Sequence, residues 1–193
     1  MAFKGLVFDP IKHKYYLNGE PLIGVTTALK EARLIEYFSG GHGMYMDRGT
    51  NVHAMTELED AGALKIEEIP HPLAGYVDGW TKFKDDMSIE ILASEEPVCN
   101  PIYRYAGTLD RRVIFKGKKA IIDIKSGLSA PWHGLQTMAY AKCFDEPLLR
   151  FCLYLADDGR YSLEEHKDPT DWDVFRAALA VVNWKRKQGM LKI

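Results

Sequence analysis

Cysteine is scarce in this chain: Cys99, Cys143 and Cys152 make three, an odd number with no Cys-x-x-Cys pair. That excludes a four-cysteine zinc or iron–sulfur site within one chain and fits free thiols in a reducing compartment. Long apolar runs are missing too. None approaches the length of a bilayer span, and the N-terminus turns polar within a few residues, so the expectation is a soluble, cytoplasmic protein without a membrane partner. Nor does one sign of charge dominate, since 25 Lys and Arg face 27 Asp and Glu for a formal net charge of −2. A basic surplus is the common mark of nucleic-acid binding, but binding needs local rather than global positive charge. Repeats, low-complexity segments and linkers are absent as well. What is present is a chain of 193 residues, 47% hydrophobic, with four Trp and ten Tyr. That argues against disorder and is enough for a real core in one domain over 1–193.

Positive charge gathers twice. Arg111, Arg112, Lys116, Lys118 and Lys119 surround one turn, and Lys185, Arg186, Lys187 and Lys192 crowd the C-terminus. The plain reading is solvated hairpin and helix ends.

Periodicity and turn residues divide the chain into elements. Leu6–Phe8 and Lys14–Leu17 read as a small N-terminal β-hairpin around Asp9-Pro10, followed by Asn18-Gly19. Thr26 or Thr27 is placed to cap a helix running toward Phe38, and Gly40, Gly41 and Gly43 mark a flexible loop. Helices follow over Arg48 to about Ala61 and Pro72 to about Asp86. Ser88 to Val98 reads as a strand with Ile89, Ile91 and Ala93 on one side, and Tyr105 to Phe115 as another. Pro131 suits a first helical turn, with the helix continuing to about Phe144. Leu149–Leu155 and Arg160–Glu164 read as strands joined at Asp157-Asp158-Gly159. Asp168-Pro169-Thr170 opens a last helix ending near Gly189. The expectation is an α/β fold, a central mixed β-sheet flanked by helices.

The segment from Gly107 to Lys125 carries the chemistry. Ile121-Ile122-Asp123-Ile124-Lys125 places two charges in an apolar run, where a buried strand should not hold them without purpose. Period-2 geometry sets Asp123 and Lys125 on one face and Ile122 and Ile124 on the other. With Lys116-Gly117 as a two-residue turn, Phe115 faces Lys118, and counting back sets Asp110 opposite Asp123, with Cα atoms about 4.5–5.5 Å apart. A three-residue loop would shift that register by one. Two carboxylates and an ammonium on one patch suit a hard divalent cation and a scissile phosphate. The plainer option is that Asp110 and Asp123 merely pair with Arg111, Arg112 and Lys119.

Two helical patterns add to this. His53 and Glu57 lie four apart and share a face, as do Gln136 and Tyr140, both able to hydrogen-bond outward. Alone, each is more often an ordinary helix face than a site.

The ordered set Gly49-x-x-x-His53, Gly107-x-x-Asp110, Asp123-Ile124-Lys125 and Gln136-x-x-x-Tyr140 resembles the PD-(D/E)xK nuclease superfamily, and within it the RecB-like branch that includes phage-type exonucleases. The opening His13-x-Tyr15, Asn18-Gly19 and Val25-Thr26-Thr27 resembles phage members, as does Glu95-Glu96-Pro97-Val98 before the Asp110 motif. The resemblance covers roughly residues 10 to 145 and implies a restriction-endonuclease-like core. It implies that Asp110 and Asp123 ligate Mg²⁺ or Mn²⁺, helped by the Ile124 carbonyl and His53. Lys125 would orient the attacking water or stabilise charge on the phosphate. Gln136, Tyr140, Ser126 and Arg48 would hold the DNA or brace the site, and Glu95 matches the acidic position on the earlier strand better than Glu96. Leu109 stands where the founding motif has Pro, as in RecB-like members. The iron–sulfur cysteines of some relatives are lacking, so no cluster is expected.

The function this implies is a metal-dependent DNA exonuclease in recombination, repair or end processing. Its partners would be DNA and a single-strand annealing or recombination protein, in a bacterial host cell if phage-encoded. Two alternatives are a structure-selective endonuclease and a non-catalytic DNA-binding recombination module on the same fold.

Overall fold

Two turns with left-handed backbone at both central residues organise the strands: Asn18-Gly19 (φ 52° and 85°) and Lys116-Gly117 (φ 49° and 74°). Such turns match the twist of the strands they join. The structure, a computed structural model, describes residues 3–35 and 42–191. In chain order it holds β1 (Leu6–Asp9), β2 (Lys14–Leu17), β3 (Glu20–Gly24), α1 (Val25–Glu31), α2 (His42–Asp60), α3 (Ala74–Met87), β4 (Glu90–Asn100), β5 (Tyr105–Phe115) and β6 (Lys118–Lys125). Then come α4 (Trp132–Ala141), β7 (Leu149–Leu155), β8 (Tyr161–Glu165) and α5 (Asp171–Lys187).

The eight strands form one mixed sheet in the order β1-β2-β3-β5-β6-β7-β8, with β4 paired to β5 off this path. The β3–β5 and β6–β7 pairs are parallel and the others antiparallel. Strand β5 has the most neighbours. β4 follows it from Ile114 to Tyr105, β3 meets it at Tyr105 and Ala106, and β6 pairs with it from Phe115–Lys118 to Arg111–Ile122. This is the register counted from a two-residue turn, but the ladder stops one pair short of the expected Asp110–Asp123 pairing.

Alternation along β6 feeds two cores. Ile121 joins Val25 and Leu29 of α1, Ala139 of α4 and Phe175, Leu179 and Val182 of α5. Ala120, Ile122 and Ile124 join Val52 of α2 and Tyr76, Trp80 and Phe83 of α3. Asp123 and Lys125 share the parity of Ile121, so they stand on the α4 side of the sheet. Among the described residues no helix is long and apolar enough to cross a membrane.

Several expectations change. Strand β3 was not anticipated, and it extends the N-terminal hairpin to three strands that join β5. Thr26 and Thr27 lie inside α1, whose N-cap is Gly24, and neither caps it. That helix stops at Glu31 because Arg33 turns left-handed (φ 63°) and the Leu34 N–H bonds back to Leu29 O. Phe38, Gly40, Gly41 and Lys192 lie outside the described residues. Helix α2 starts earlier than Arg48, and α4 ends at Ala141 rather than Phe144. The alternation of Ile89, Ile91 and Ala93 breaks where the β4–β5 register shifts between Ile91 and Ala93. The hairpin cluster is not all solvated either, for Arg111 is fully buried. In the C-terminal cluster, Lys185 Nζ donates to Glu31 O at 2.6 Å.

Helix α3 rests directly on the turn before β8. A Cβ on Gly75 would stand 1.8 Å from the Asp157 carbonyl oxygen and 2.3 Å from its carbon. Alanine in a helix ordinarily gains about 1 kcal/mol over glycine. Gly75→Ala should reverse that sign and cost about 1–3 kcal/mol through overpacking. Urea unfolding checks it, and a variant at or above wild-type stability would refute the close approach.

Candidate functional site

At the open end of the β5–β6 ladder a side chain takes over from the backbone. Asp110 is the first β5 residue past the last ladder pair, and its Oδ2 accepts the Ile124 N–H at 2.6 Å. Beyond that point β6 stays paired with β7 as far as Lys125–Tyr154. The fork between β5 and β6 is where polar groups collect.

His53 of α2 lies across the fork. Its Nε2 is 3.0 Å from Ile124 O, and its Nδ1 faces Asp110 Oδ1 at 3.4 Å and Glu95 Oε1 at 3.5 Å. Glu95 lies in β4 with a left-handed φ of 45°, which re-aims it within a strand that otherwise pairs regularly around it. On the α4 side, Lys125 Nζ meets Asp123 Oδ2 at 2.5 Å and donates to Gln136 Oε1 at 2.9 Å. Gln136 Nε2 in turn donates to Tyr140 OH at 3.2 Å. Tyr140 fills the space over Gly107, where a Cβ would stand 2.6 Å from its ring. Trp132 covers Lys125, with Nζ 5.3 Å from the ring centre.

The charges set one another. Burial opposes charge on His53, but the negative charge of Asp110, its hydrogen bond and Glu95 outweigh that and raise the ring to about 10. Burial pushes Asp110 up, while His53, Lys125 and the Ile124 N–H together hold it below the usual carboxylate range. Asp123, 1% exposed, goes the other way: burial and the nearby Asp110 raise it against the pull of Lys125. Burial disfavours the Lys125 ammonium, but Asp123 and Asp110 keep it charged. His133, at the start of α4, is depressed to about 3 by burial and Lys125, so it is neutral at pH 7.

His53, Glu95 and Asp110 each present a ligand atom within 4.8 Å of the others. Oxygen donors with one imidazole suit Mg²⁺ or Mn²⁺, the nitrogen favouring Mn²⁺. This group differs from the implied set of His53, Asp110, Asp123 and Ile124. Glu95 enters it, Asp123 is turned to Lys125, and Ile124 O faces His53. Glu96 instead pairs with Arg112 at 2.8 and 3.0 Å. Gln136 and Tyr140 are buried and brace Lys125 rather than reaching outward. Arg48 Nη2 donates to Ser126 O at 2.7 Å, tying α2 to the end of β6. Glu57 is exposed and takes no part.

Pairing of Asp110 and Asp123 with Arg111, Arg112 and Lys119 does not occur. Arg111 goes to Asp60 and Glu95, Arg112 to Glu96, and Lys119 to Glu146. Thr56, Asp60 and Arg111 were missed by the sequence. The signal available was the polar spacing of His53, Thr56 and Asp60, three and seven residues apart on one helix face.

No family model and no curated protein matches this chain. Among solved structures it is similar to SSO0001, known from a crystal structure, at 15% identity and a TM-score of 0.37, over 87% of this chain and 85% of that one.

The raised His53 carries a pH signature in metal-free protein. With a folded value of about 10 against 6.5 unfolded, its charge stabilises the fold fully below pH 6.5, and that contribution is lost as pH rises toward 10. In EDTA, the stability gap between wild type and His53→Gln should hold steady between about pH 5 and 6.5 and shrink above it. Urea titrations at pH 6, 8 and 10 measure the gap; a constant difference across them would contradict the assignment.

Proposed function

We propose that this chain is a Mg²⁺- or Mn²⁺-dependent deoxyribonuclease on a restriction-endonuclease-like core of the PD-(D/E)xK superfamily, RecB-like branch, acting as an exonuclease in DNA recombination, repair or end processing. One observation carries the reading. His53, Glu95, Asp110, Asp123 and Lys125, drawn from α2, β4, β5 and β6, converge at the fork with the lysine held ready-made beside the carboxylates.

The residues divide the work. The Ile124 N–H fixes Asp110 Oδ2, which leaves Oδ1 facing His53 and Glu95. His53, Glu95 and Asp110 would hold the cation, with Asp123 next to them. A bound Mg²⁺ or Mn²⁺ supplies Lewis acidity toward a phosphoryl oxygen and a more acidic water. Asp123 and Gln136 fix Lys125 from two sides, so its ammonium needs no reorganisation to meet charge building on a phosphate. Tyr140 stiffens Gln136, and Arg48 anchors the backbone just past Lys125.

Digestion of 5′- and 3′-labelled single- and double-stranded DNA with Mg²⁺, beside a closed circle, tests the function. Labelled ends should be degraded and the circle spared. Asp110→Asn and Asp123→Asn should each abolish cleavage while the circular-dichroism spectrum stays native; near-normal activity in both would end the proposal.

Lys125→Ala separates catalyst from ligand. It should keep Mn²⁺ and DNA binding and lose about 10²–10³ in turnover, because the lysine acts on charge that develops in the transition state. A loss of metal affinity as severe as in Asp110→Asn would show that the lysine instead holds the site together.

A further inference from the structure

Behind the candidate centre lies a fully buried arginine that the proposed reaction does not use. Arg111 has 0% exposure and spends its guanidinium on four acceptors from three elements. Nε donates to Asp60 Oδ2 at 2.6 Å and Nη2 to Thr56 Oγ1 at 3.0 Å, both on α2. Nη1 donates to the Asp110 carbonyl at 2.7 Å and to Glu95 Oε1 at 3.2 Å. Trp80 of α3 lies 5.4 Å beneath it and fixes Asp60 through its own Nε1–H at 2.9 Å. Thr56 passes the contact on, since its hydroxyl donates to His53 O at 3.0 Å.

Two of the three metal-capable residues thus touch this side chain, Glu95 by its carboxylate and Asp110 by its carbonyl, and His53 lies one contact further on, through Thr56. Glu95 Oε1 is also the atom that faces His53 Nδ1. Glu95 needs such support, because its left-handed backbone is one that residues other than Gly, Asn and Asp rarely adopt. A planar fork can satisfy acceptors in several fixed directions at once, which an ammonium on a flexible stem cannot.

We propose that Arg111 is a positioning residue for divalent-cation binding, acting through Glu95: it aims the Glu95 carboxylate and holds α2 at the distance that places His53. This rests on the metal-centre reading above. Orientation outweighs the repulsion between the guanidinium and an incoming cation, because Asp60 shares the charge of Arg111 directly.

Mn²⁺ binding to the full chain without DNA, followed by calorimetry, tests this. Arg111→Lys keeps the charge and removes the fork; it should weaken Mn²⁺ binding about 10–100-fold, as loss of a supporting hydrogen bond does at metal sites. Glu95→Gln should weaken it comparably. The double variant should lose less than the product of the two single losses, by more than the roughly twofold scatter of additivity, because the two residues act in part as one unit. Losses that multiply, or wild-type or tighter binding by Arg111→Lys, would overturn the proposal. If circular dichroism shows Arg111→Lys unfolded, Thr56→Val serves, and it should weaken Mn²⁺ binding by more than about twofold; wild-type affinity in that folded variant would overturn it equally. Manganese bound without DNA cleavage removes the nuclease reading and leaves this inference standing. Cleavage with undiminished binding by Arg111→Lys does the reverse, and a wild type that binds no manganese ends both.

Discussion

The hydrogen bond from the Ile124 N–H to the Asp110 carboxylate is the contact on which the polar centre depends. A sheet interior demands a partner for each backbone donor, and a buried one left unmade costs about 1–3 kcal/mol. Here the donor past the end of the β5–β6 ladder is met by a side chain. That one substitution ends the hairpin pairing, pins an acid between two strands, and opens the gap into which α2 sends His53. Strand β6 stays in register with β7 through Lys125, so the fork opens without loosening the lysine.

Charge is held in balance around that fork. His53, Lys125 and Arg111 supply three positive charges, and Glu95, Asp110, Asp123 and Asp60 four negative ones, with Lys84 adding a fourth positive charge beside Asp60. Two unit charges 4 Å apart interact by about 4 kcal/mol at the effective dielectric near a protein surface. Such terms are large enough that an unbalanced cluster would not stay assembled. His53 Nδ1 lies between Asp110 Oδ1 and Glu95 Oε1, so a cation bound as proposed would displace the proton held there.

How much of this the sequence showed follows from which rules are local. The β5–β6 register was legible because Lys116-Gly117 fixes the loop length and period 2 does the rest. The face shared by Asp123 and Lys125 followed from the same count. Strand β3 was hidden because Pro21 and Gly24 sit in a run of five residues, and its place is secured by pairing with distant β5 rather than by propensity. Arg111 read as one of five surface cations, since nothing local distinguishes a buried arginine from its exposed neighbours. Its burial follows from Asp60, some fifty positions earlier, which no periodicity links to it. The role of Glu95 over Glu96 was suggested only by the resemblance. In the structure it follows from a left-handed backbone that no local pattern announces.

Strands β4, β5 and β6 succeed one another along the chain as an antiparallel meander, whereas the parallel β3–β5 pair joins segments distant in sequence, Ile23 with Tyr105. Contacts close in sequence form early and distant parallel pairings form late, because the long loops must first be closed. The meander holds Glu95, Asp110, Asp123 and Lys125, so the acids are brought together by the fast-forming part of the fold. Synthesis from the N-terminus has by then already supplied α2 with His53, Thr56 and Asp60. A chain that assembles in this order would have the counter-charges on hand when the carboxylates converge, with the distant β3–β5 pairing closing last.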